Sequence, residues 1–424
     1  MFLMVESRLQ RTLGLGDGVV LAIGSIAGSG ILFLPSLTYS LAGHEVLIVW
    51  GMGTLLCLPM LFVFTDMVRV VPDGSGIEGF VGRGLGPRVA ATVPVLFLSV
   101  VVLGIPAGAL VAGIYLRDAV GGGMWVQLVG ALAVLAGAIA TNLTGAGAGA
   151  RLQRGAIWAL LAVTVALCVL TYPDARGGYG AVAPAFGALG PILSGVVVAF
   201  WAYAGFENLT FIAGEFKNPR RDFPLAMIFA FLAYGGLVVA LTTTIAAIVP
   251  REQVNEVSGL YQIAVQVGPS WMAVGVITAF ALALVQLNSA SWLWGMSRLI
   301  YSSGRAGRMP RWFVQLDGRD LPRRAIGVLA TTFVVLTVIG AVVPGLVVGA
   351  ITLASSVFMF LYLLCLASYW RIERGFGKRL LCGGLAIFLL ATLASVGPKI
   401  LYPISVFIFA MLVSIIRHRR SVSR

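Results

Sequence analysis

Two short stretches of the chain combine residue types that could bind a small zwitterion within a helix bundle. The first, residues 24–30, contains three glycines and two serines, and the second, residues 200–208, contains Gly205 followed by Glu207. Glycine destabilises a helix by about 1 kcal/mol relative to alanine, so both stretches predict an interrupted helix. Interrupted helices expose N–H groups that can bind a carboxylate and carbonyl oxygens that can bind an ammonium group.

The elements that carry these stretches are long apolar runs. Of the 424 residues, 59% are hydrophobic and only 11% are charged, which is too few charges to cover the surface of a soluble protein of this length. Runs of about 18 or more apolar residues are typical of transmembrane helices. The chain is therefore predicted to be an all-α integral membrane protein of about twelve transmembrane helices, at residues 13–43, 46–68, 89–116, 124–143, 155–172, 191–214, 224–249, 271–301, 325–343, 345–369, 380–396 and 398–416.

The positive charges are distributed unequally between the gaps that separate these runs. With the N-terminus inside, four of the 29 lysines and arginines fall in outer segments, namely Arg117, Arg176, Arg251 and Lys399, and the other 25 fall in inner ones. Because Lys and Arg accumulate in cytoplasmic loops, this split predicts a cytoplasmic-membrane protein with both termini inside. It also accounts for the net charge of +13 without nucleic acid as a partner.

The two glycine-containing stretches lie in the first and the sixth run, and each of these runs begins a set of five. The sets 13–172 and 191–369 enter the membrane from opposite sides, and 380–416 adds two helices to a single domain spanning 1–424. Interruptions at matching places of two inverted repeats indicate the binding site of a secondary transporter. The alternative is that the small residues only allow close helix packing, but the carboxylate of Glu207 at membrane depth favours the transporter.

Three ordered motifs resemble those of the amino acid–polyamine–organocation (APC) transporter superfamily. The first is G-S-I-A-G-S-G-I-L-F-L-P at 24–35, the second runs from Gly205 through E-F-K-N-P-R-R-D-F-P at 215–224, and the third spans 297–313. Within the superfamily, the second motif and L-G-I-P-A at 103–107 are most similar to bacterial exporters of methionine and branched-chain amino acids. The resemblance implies a five-plus-five inverted-repeat core in which helices 1 and 6 are broken, together with two further helices.

The resemblance also implies roles for particular residues. The backbone N–H groups of Ser29 and Gly30 would donate to the carboxylate of the substrate. Carbonyl oxygens of Ile26, Trp201 and Ala204 would accept from its ammonium group. The full set predicted to bind substrate is Ser25, Ile26, Ala27, Gly28, Ser29, Gly30, Trp201, Ala202, Ala204, Asn288 and Trp292, and the set predicted to gate or couple transport is Trp201, Tyr203 and Glu207.

Glu207 is the one carboxylate predicted near the membrane midplane, where a charge must be neutralised or paired. Two roles are open for it: a proton-binding or gating group, or a protonated group that supports the broken backbone by hydrogen bonds. Many relatives in the superfamily carry a lysine in the fifth helix, but residues 157–170 contain none, and Ala306 replaces a usual acidic residue. These departures argue against lysine-based proton coupling and leave proton or sodium open as the coupling ion.

Asn288 and Trp292 lie one turn apart on the eighth helix, so both could face one cavity. A polar bond between helices is the alternative for Asn288, and ordinary packing is the alternative for Trp292. Around the two interruptions the residues are small or apolar, and Glu207 is the one charged group. A neutral, apolar L-amino acid is therefore the expected substrate.

Taken with the resemblance, these features predict a secondary active transporter of methionine, leucine, isoleucine or valine that works by alternating access, with export the favoured direction. A proton- or sodium-coupled importer or exchanger of the same fold is the alternative. A channel would need a continuous polar pore and an enzyme a catalytic cluster, and the sequence contains neither. No metal or cofactor motif is found, so membrane lipids are the remaining expected partners.

Overall fold

The computed structural model of the protein describes residues 13–70, 76–144, 149–175, 178, 189–205, 216–267, 270–305, 307–318, 321–343 and 345–422. Over these residues the chain forms helices and turns and no β-strand. A single isolated β-bridge joins Leu13 and Phe216. The all-α fold predicted from the apolar runs is confirmed. The helices are α1 Leu15–Ile26, α2 Gly30–Ala42, α3 Val46–Val70, α4 Gly76–Leu85, α5 Pro87–Ala90, α6 Val93–Val120, α7 Met124–Thr144, α8 Gly149–Ala175, α9 Leu189–Tyr203, α10 Pro219–Ile248, α11 Gly259–Ala264, α12 Ser270–Arg305, α13 Arg323–Val342, α14 Leu346–Ile372, α15 Phe376–Ala394 and α16 Leu401–Val422.

Ten helical segments of the described chain are long and apolar enough to cross a membrane. One of them, Gly30–Val70, has 41 residues, which is about 60 Å of helix or twice the thickness of a bilayer core. It turns at Gly43, whose φ of 54° suits glycine, so α3 makes one crossing and α2 completes the crossing that α1 begins. The short α9 adds the sixth crossing, and the count of about twelve agrees with the sequence.

Two short helices, α4 and α11, lie outside the runs predicted from hydropathy. The α4 helix carries Glu78 and Arg83, so it fails a search for apolar segments, but it buries Ile77, Phe80 and Val81 on one face. It packs closely against α14, because a Cβ built on its Gly84 would overlap the backbone of Ser368. Periodic burial of this kind is typical of a helix that lies on a bundle rather than crossing the membrane.

The α6 helix stands at the centre of the bundle and packs against α7, α12, α13 and α14. It is apolar on all sides, as expected for a helix surrounded by other helices. The two halves of the first crossing pack against different partners: α1 lies against α10, and α2 against both α9 and α10. The interruption in the first crossing is thereby held next to α6, α9 and α12, which supply the remaining walls of the site described below.

Candidate functional site

The first helix is interrupted at the predicted place. The α1 helix ends at Ile26, Ala27 is extended with φ −71° and ψ 102°, and α2 begins at Gly30. Helix ends leave backbone groups without partners inside the helix, so the carbonyl of Ile26 and the N–H groups of Gly30 and Ile31 are available at the interruption. The positive end of the α2 dipole points at the same place, which makes it suited to an anionic group.

The α9 helix, within the sixth predicted run, ends at the matching position, and its end at Tyr203–Gly205 is the second interruption; residues 206–215 lie outside the described part of the chain. The α9 helix ends at Tyr203, and the N–H of Ala204 makes its last helical bond to the carbonyl of Phe200 at 3.0 Å. Gly205 follows with φ 125°, a backbone conformation that residues with a Cβ rarely adopt. The last turn of α9, which includes Trp201, leaves carbonyl oxygens without a partner inside the helix. Glu207 lies outside the described residues.

A narrow cavity lies where the two interruptions meet α6 and α12. Its walls are apolar or small, with a few hydroxyl, amide and indole groups, and none of its described lining residues is charged. Such an arrangement fits a small molecule whose charged groups are bound by backbone and whose side chain is apolar. The lining residues are Ser29, Val100, Val101, Gly104, Ile105, Gly108, Trp201, Val285, Asn288, Ser289 and Trp292.

Four of the predicted binding residues line this cavity: Ser29, Trp201, Asn288 and Trp292. The other predicted residues whose side chains the structure describes surround the interruptions without lining the cavity. Among them Gly28 lies against Asn288, because a Cβ built on Gly28 would be 2.7 Å from the Asn288 Nδ2. Asn288 therefore lies both at the cavity and beside the first interruption, and its role in binding stays a prediction. The remaining predicted residues that are buried beside the interruptions are Ile26, Ala27, Gly30, Ala202 and Ala204, and the Ser25 side chain lies outside the described part of the chain.

Two glycines of α6, Gly104 and Gly108, are cavity residues that the sequence did not identify. They are four residues apart and so lie on one face of the helix. Between them, Pro106 has no N–H to donate to the carbonyl of Val102, which loosens the helix beside the cavity. The spacing Gly-x-Pro-x-Gly within a predicted transmembrane helix was the available indication.

Phe358 forms the aromatic side of the cavity together with the two tryptophans. The Phe358 ring of α14 lies 6.0 Å from Trp201 and 6.4 Å from Trp292, measured between centroids. The Phe97 ring of α6 packs edge-on against Phe358 at 6.0 Å. Phe358 is buried behind both tryptophans and holds them at the spacing that aromatic pairs prefer. Nothing in the apolar sequence of α14 distinguishes Phe358 from its neighbours, so sequence reasoning missed it.

Comparison with known proteins agrees with this architecture. The model of the amino acid permease family matches residues 13–420, which is nearly the whole chain. The chain belongs to this family. As the APC resemblance implied, the permease is a multi-pass membrane protein that transports amino acids, and it is not an enzyme.

Two relatives illustrate the range of similarity. The permease is 30% identical to the L-methionine/branched-chain amino acid exporter of Escherichia coli (strain K12), over 93% of this chain and 94% of the relative. It is 24% identical to a branched-chain amino acid permease of Lactococcus lactis subsp. cremoris (strain MG1363), over 82% of this chain and 79% of the relative.

Tyr203 of the permease, predicted to act at a gate, does not line the cavity. Its ring stacks on Phe231 at 4.6 Å and meets Trp50 edge-on at 6.0 Å. Its hydroxyl lies 3.1 Å from the Oγ1 of Thr54. These contacts join the end of α9 to α3 and α10, so any effect of Tyr203 on the cavity must be transmitted through the position of α9.

The far end of α2 is held by the segment that connects α10 to α12. The Arg251 guanidinium donates to the carbonyls of Ser40 and Leu41, both at 3.0 Å, and so satisfies the last carbonyls of the helix. The Ser40 hydroxyl also donates to the Glu256 carboxylate at 3.1 Å. In the same segment the Ser258 hydroxyl donates to the Asp118 carboxylate at 2.6 Å. Asp118 lies close to the end of α6 at Val120. This segment thus links the ends of α2 and α6.

Proposed function

We propose that the permease exports neutral, apolar L-amino acids of the methionine, leucine, isoleucine and valine class by alternating access. The observation that carries the proposal is the cavity at the meeting point of two interrupted helices, whose described lining residues carry no charge. A lysine, arginine, aspartate or glutamate substrate would bury its side-chain charge there without a partner among the described lining residues, at a cost of several kcal/mol. An apolar side chain would contact Val100, Ile105 and Val285 instead.

The charged groups of the amino acid are bound by backbone in this proposal. The N–H groups of Ser29 and Gly30 donate to the carboxylate, which also faces the positive end of α2. The carbonyls of Ile26, Trp201 and Ala204 accept from the ammonium group. The backbone of Ser25, Ala27, Gly28 and Ala202 shapes these two sites, and Asn288 and Trp292 flank the side chain.

Trp201 is the proposed gate between the cavity and one side of the membrane. It is only partly buried, it lines the cavity, and it sits in the last turn of an interrupted helix, where the backbone is least constrained. Tyr203 would contribute by holding α9 against α3 and α10 through Thr54 and Phe231. Transport would then require α9 and α2 to move against the surrounding helices.

Export is favoured because the relative at 30% identity, aligned over 94% of its own length, is named as an exporter. The alternative is a proton- or sodium-coupled importer or exchanger of the same fold, and the name of the branched-chain amino acid permease states no direction. Both alternatives use the same cavity and the same substrates. The direction of net transport under an imposed gradient separates them.

Counterflow in proteoliposomes tests the proposed substrates. Vesicles loaded with unlabelled methionine should accumulate labelled methionine, because exchange through one carrier needs no energy source. External leucine, isoleucine and valine should compete, whereas lysine and glutamate should not. Competition by lysine or glutamate equal to that by leucine, or the lack of any counterflow, would overturn the assignment.

We propose further that the permease lies in the bacterial cytoplasmic membrane with both termini inside and with lipids around it. The unequal distribution of Lys and Arg supports this orientation. Trp125 and Trp271 support the membrane location, since each is more than 70% exposed near the start of a helix, where tryptophans lie at the membrane–water interface. In a protein without native cysteines, Arg176→Cys should label from outside and Asp320→Cys from inside. Both positions lie outside the described residues, and labelling from one side would contradict the orientation.

Glu207 is proposed as the group that carries a coupling proton. Glu207→Gln resembles the protonated state, so the variant should still bind substrate and perform counterflow. Its response to an imposed pH gradient should vanish, because no proton can be taken up or released. A loss of counterflow in parallel with gradient-driven flux would assign Glu207 a structural role, and persistent gradient-driven flux would point to another coupling group or to sodium.

A further inference from the structure

The two glycines of α6 receive side chains from the two interrupted helices. A Cβ built on Gly104 would overlap Cη2 of Trp201 and lie 3.1 Å from its Cζ2. A Cβ built on Gly108 would lie 3.0 Å from the Ser29 Oγ and 3.3 Å from its Cβ. Gly104 therefore faces the sixth helix and Gly108 faces the first. One glycine lies beside the aromatic wall of the cavity, and the other lies beside the proposed carboxylate site.

The missing Cβ at Gly104 creates a recess in α6 that holds the six-membered ring of Trp201. On its other edges the indole is confined by neighbours. Its Cδ1 would be 3.4 Å from a Cβ on Gly30, and the Phe358 ring lies 6.0 Å away. The side that remains open is the cavity, which Trp201 lines. A methyl group at Gly104 would therefore displace the ring into the space that the side chain of the substrate needs.

We propose that Gly104 sets the largest substrate side chain that the permease accepts, by holding the Trp201 ring outside the cavity. Gly104 is a positioning residue in this proposal, because it acts through Trp201. The proposal rests on the proposed function, since it assumes that an amino acid side chain occupies this cavity. Side chains of four heavy atoms, such as those of methionine and leucine, need the recess, and the single methyl of alanine does not.

The test compares Gly104→Ala with Gly108→Ala, in counterflow with methionine, leucine and alanine. In Gly104→Ala we expect the half-saturation concentrations of methionine and leucine to rise about tenfold and that of alanine by less than about twofold, since small differences in pocket space discriminate side chains at this scale. Gly108→Ala presses on Ser29, which every amino acid would meet, so it should weaken all three substrates equally. Gly275→Ala is the neutral control, because a Cβ there meets nothing within 4 Å.

A second variant keeps the test informative if Gly104→Ala does not fold. Trp201→Phe replaces the indole beside Gly104 by a smaller ring and leaves the recess empty. The cavity then has more room for a large side chain, so phenylalanine should become a better competitor of methionine uptake. In the double variant, Trp201→Phe should remove most of the effect of Gly104→Ala, because the two positions act through one contact.

The possible outcomes separate the two levels of the proposal. If the unmodified permease exchanges methionine but Gly104→Ala weakens alanine and methionine equally, the role of Gly104 is overturned and the proposed function stands. Unchanged selectivity for phenylalanine in Trp201→Phe overturns it as well. If the unmodified permease exchanges none of the neutral amino acids, both the proposed function and the role of Gly104 are overturned.

Discussion

Two polar regions of this permease differ in whether their hydrogen-bonding groups are paired within the chain. At one end of α3, Asp66 accepts a hydrogen bond from the Tyr369 hydroxyl and one from the Lys378 ammonium, both at 2.5 Å. Arg69 adds an ion pair to Asp66 at 3.3 Å, and Lys378 adds one to Glu373 at 3.3 Å. This ionic cluster joins α3, α14 and α15, and its carboxylate is fully paired within the chain.

The interruption between α1 and α2 is arranged differently. The last carbonyls of α1 and the first N–H groups of α2 have no partners inside their own helices. Beside it, the buried Tyr234 hydroxyl is one of several buried groups without a hydrogen-bond partner, and it would lie 3.6 Å from a Cβ on Gly30. Buried polar groups are normally paired, because an unpaired one costs about 1–3 kcal/mol.

The difference teaches which polar region serves structure and which serves function. A cluster whose donors and acceptors are paired with one another stabilises the bundle and has no unpaired group that could bind a ligand. An interruption that leaves donors and acceptors free is costly unless a ligand completes it. Substitutions in the ionic cluster should therefore change stability and spare binding, and substitutions at the interruption should do the reverse.

The largest effect is expected from Gly30→Val. A branched side chain would meet Leu34 and Trp201, at 3.0 and 3.4 Å from the Cβ, and would block the approach of a carboxylate to the backbone. Affinity for neutral amino acids should fall tenfold or more, which is at least about 1.4 kcal/mol. Binding to purified protein measures it, and Gly51→Val is the control, because a Cβ on Gly51 meets nothing within 4 Å. Unchanged affinity in folded Gly30→Val would remove the carboxylate from this interruption.

A smaller effect, of the opposite kind, is expected from Asp66→Ala. The variant leaves the Tyr369 hydroxyl without its acceptor, while Lys378 keeps Glu373 as a partner and is about one-third exposed. The free energy of unfolding should fall by about 1–2 kcal/mol, seen as a lower thermal unfolding midpoint. Counterflow of methionine per folded molecule should be unchanged.

Arg69→Ala is the matched control for the ionic cluster. The Arg69 side chain is 56% exposed, so its ion pair should contribute less than about 0.5 kcal/mol. If Asp66→Ala weakened substrate affinity while leaving the unfolding midpoint in place, the distinction between the two regions would fail.

A small effect in the stabilising direction is expected from Tyr234→Phe. Removing a buried hydroxyl that has no partner should stabilise the substrate-free protein by up to about 1 kcal/mol. The unfolding midpoint in detergent would rise by a degree or two, whereas Tyr203→Phe, which loses a bond to Thr54, should lower it. A lower midpoint for Tyr234→Phe would indicate that the hydroxyl has a bound partner, such as ordered water, in the substrate-free state.

Much of the architecture follows from the sequence because it depends on local properties. Apolar length determines which segments cross the membrane, and the glycines at 24–30 weaken the helix at the place where the structure interrupts it. The α4 helix was not predicted, because its position depends on packing against α14 and not on a local property such as apolar length. Ser29, Trp201, Asn288 and Trp292 could be identified because motifs or spacing place them beside the interruptions.

Only the tertiary structure decided which distant residues share the cavity and which polar groups remain unpaired. Trp201 contacts Gly104 and Phe358, each of which is about a hundred residues or more away in the sequence. Asp66 contacts Tyr369, which is 303 residues away. Apolar helices look alike in composition, so hydropathy carries no information on which faces meet. The packing of small residues against large ones sets those contacts, and it becomes visible only when the helices are assembled.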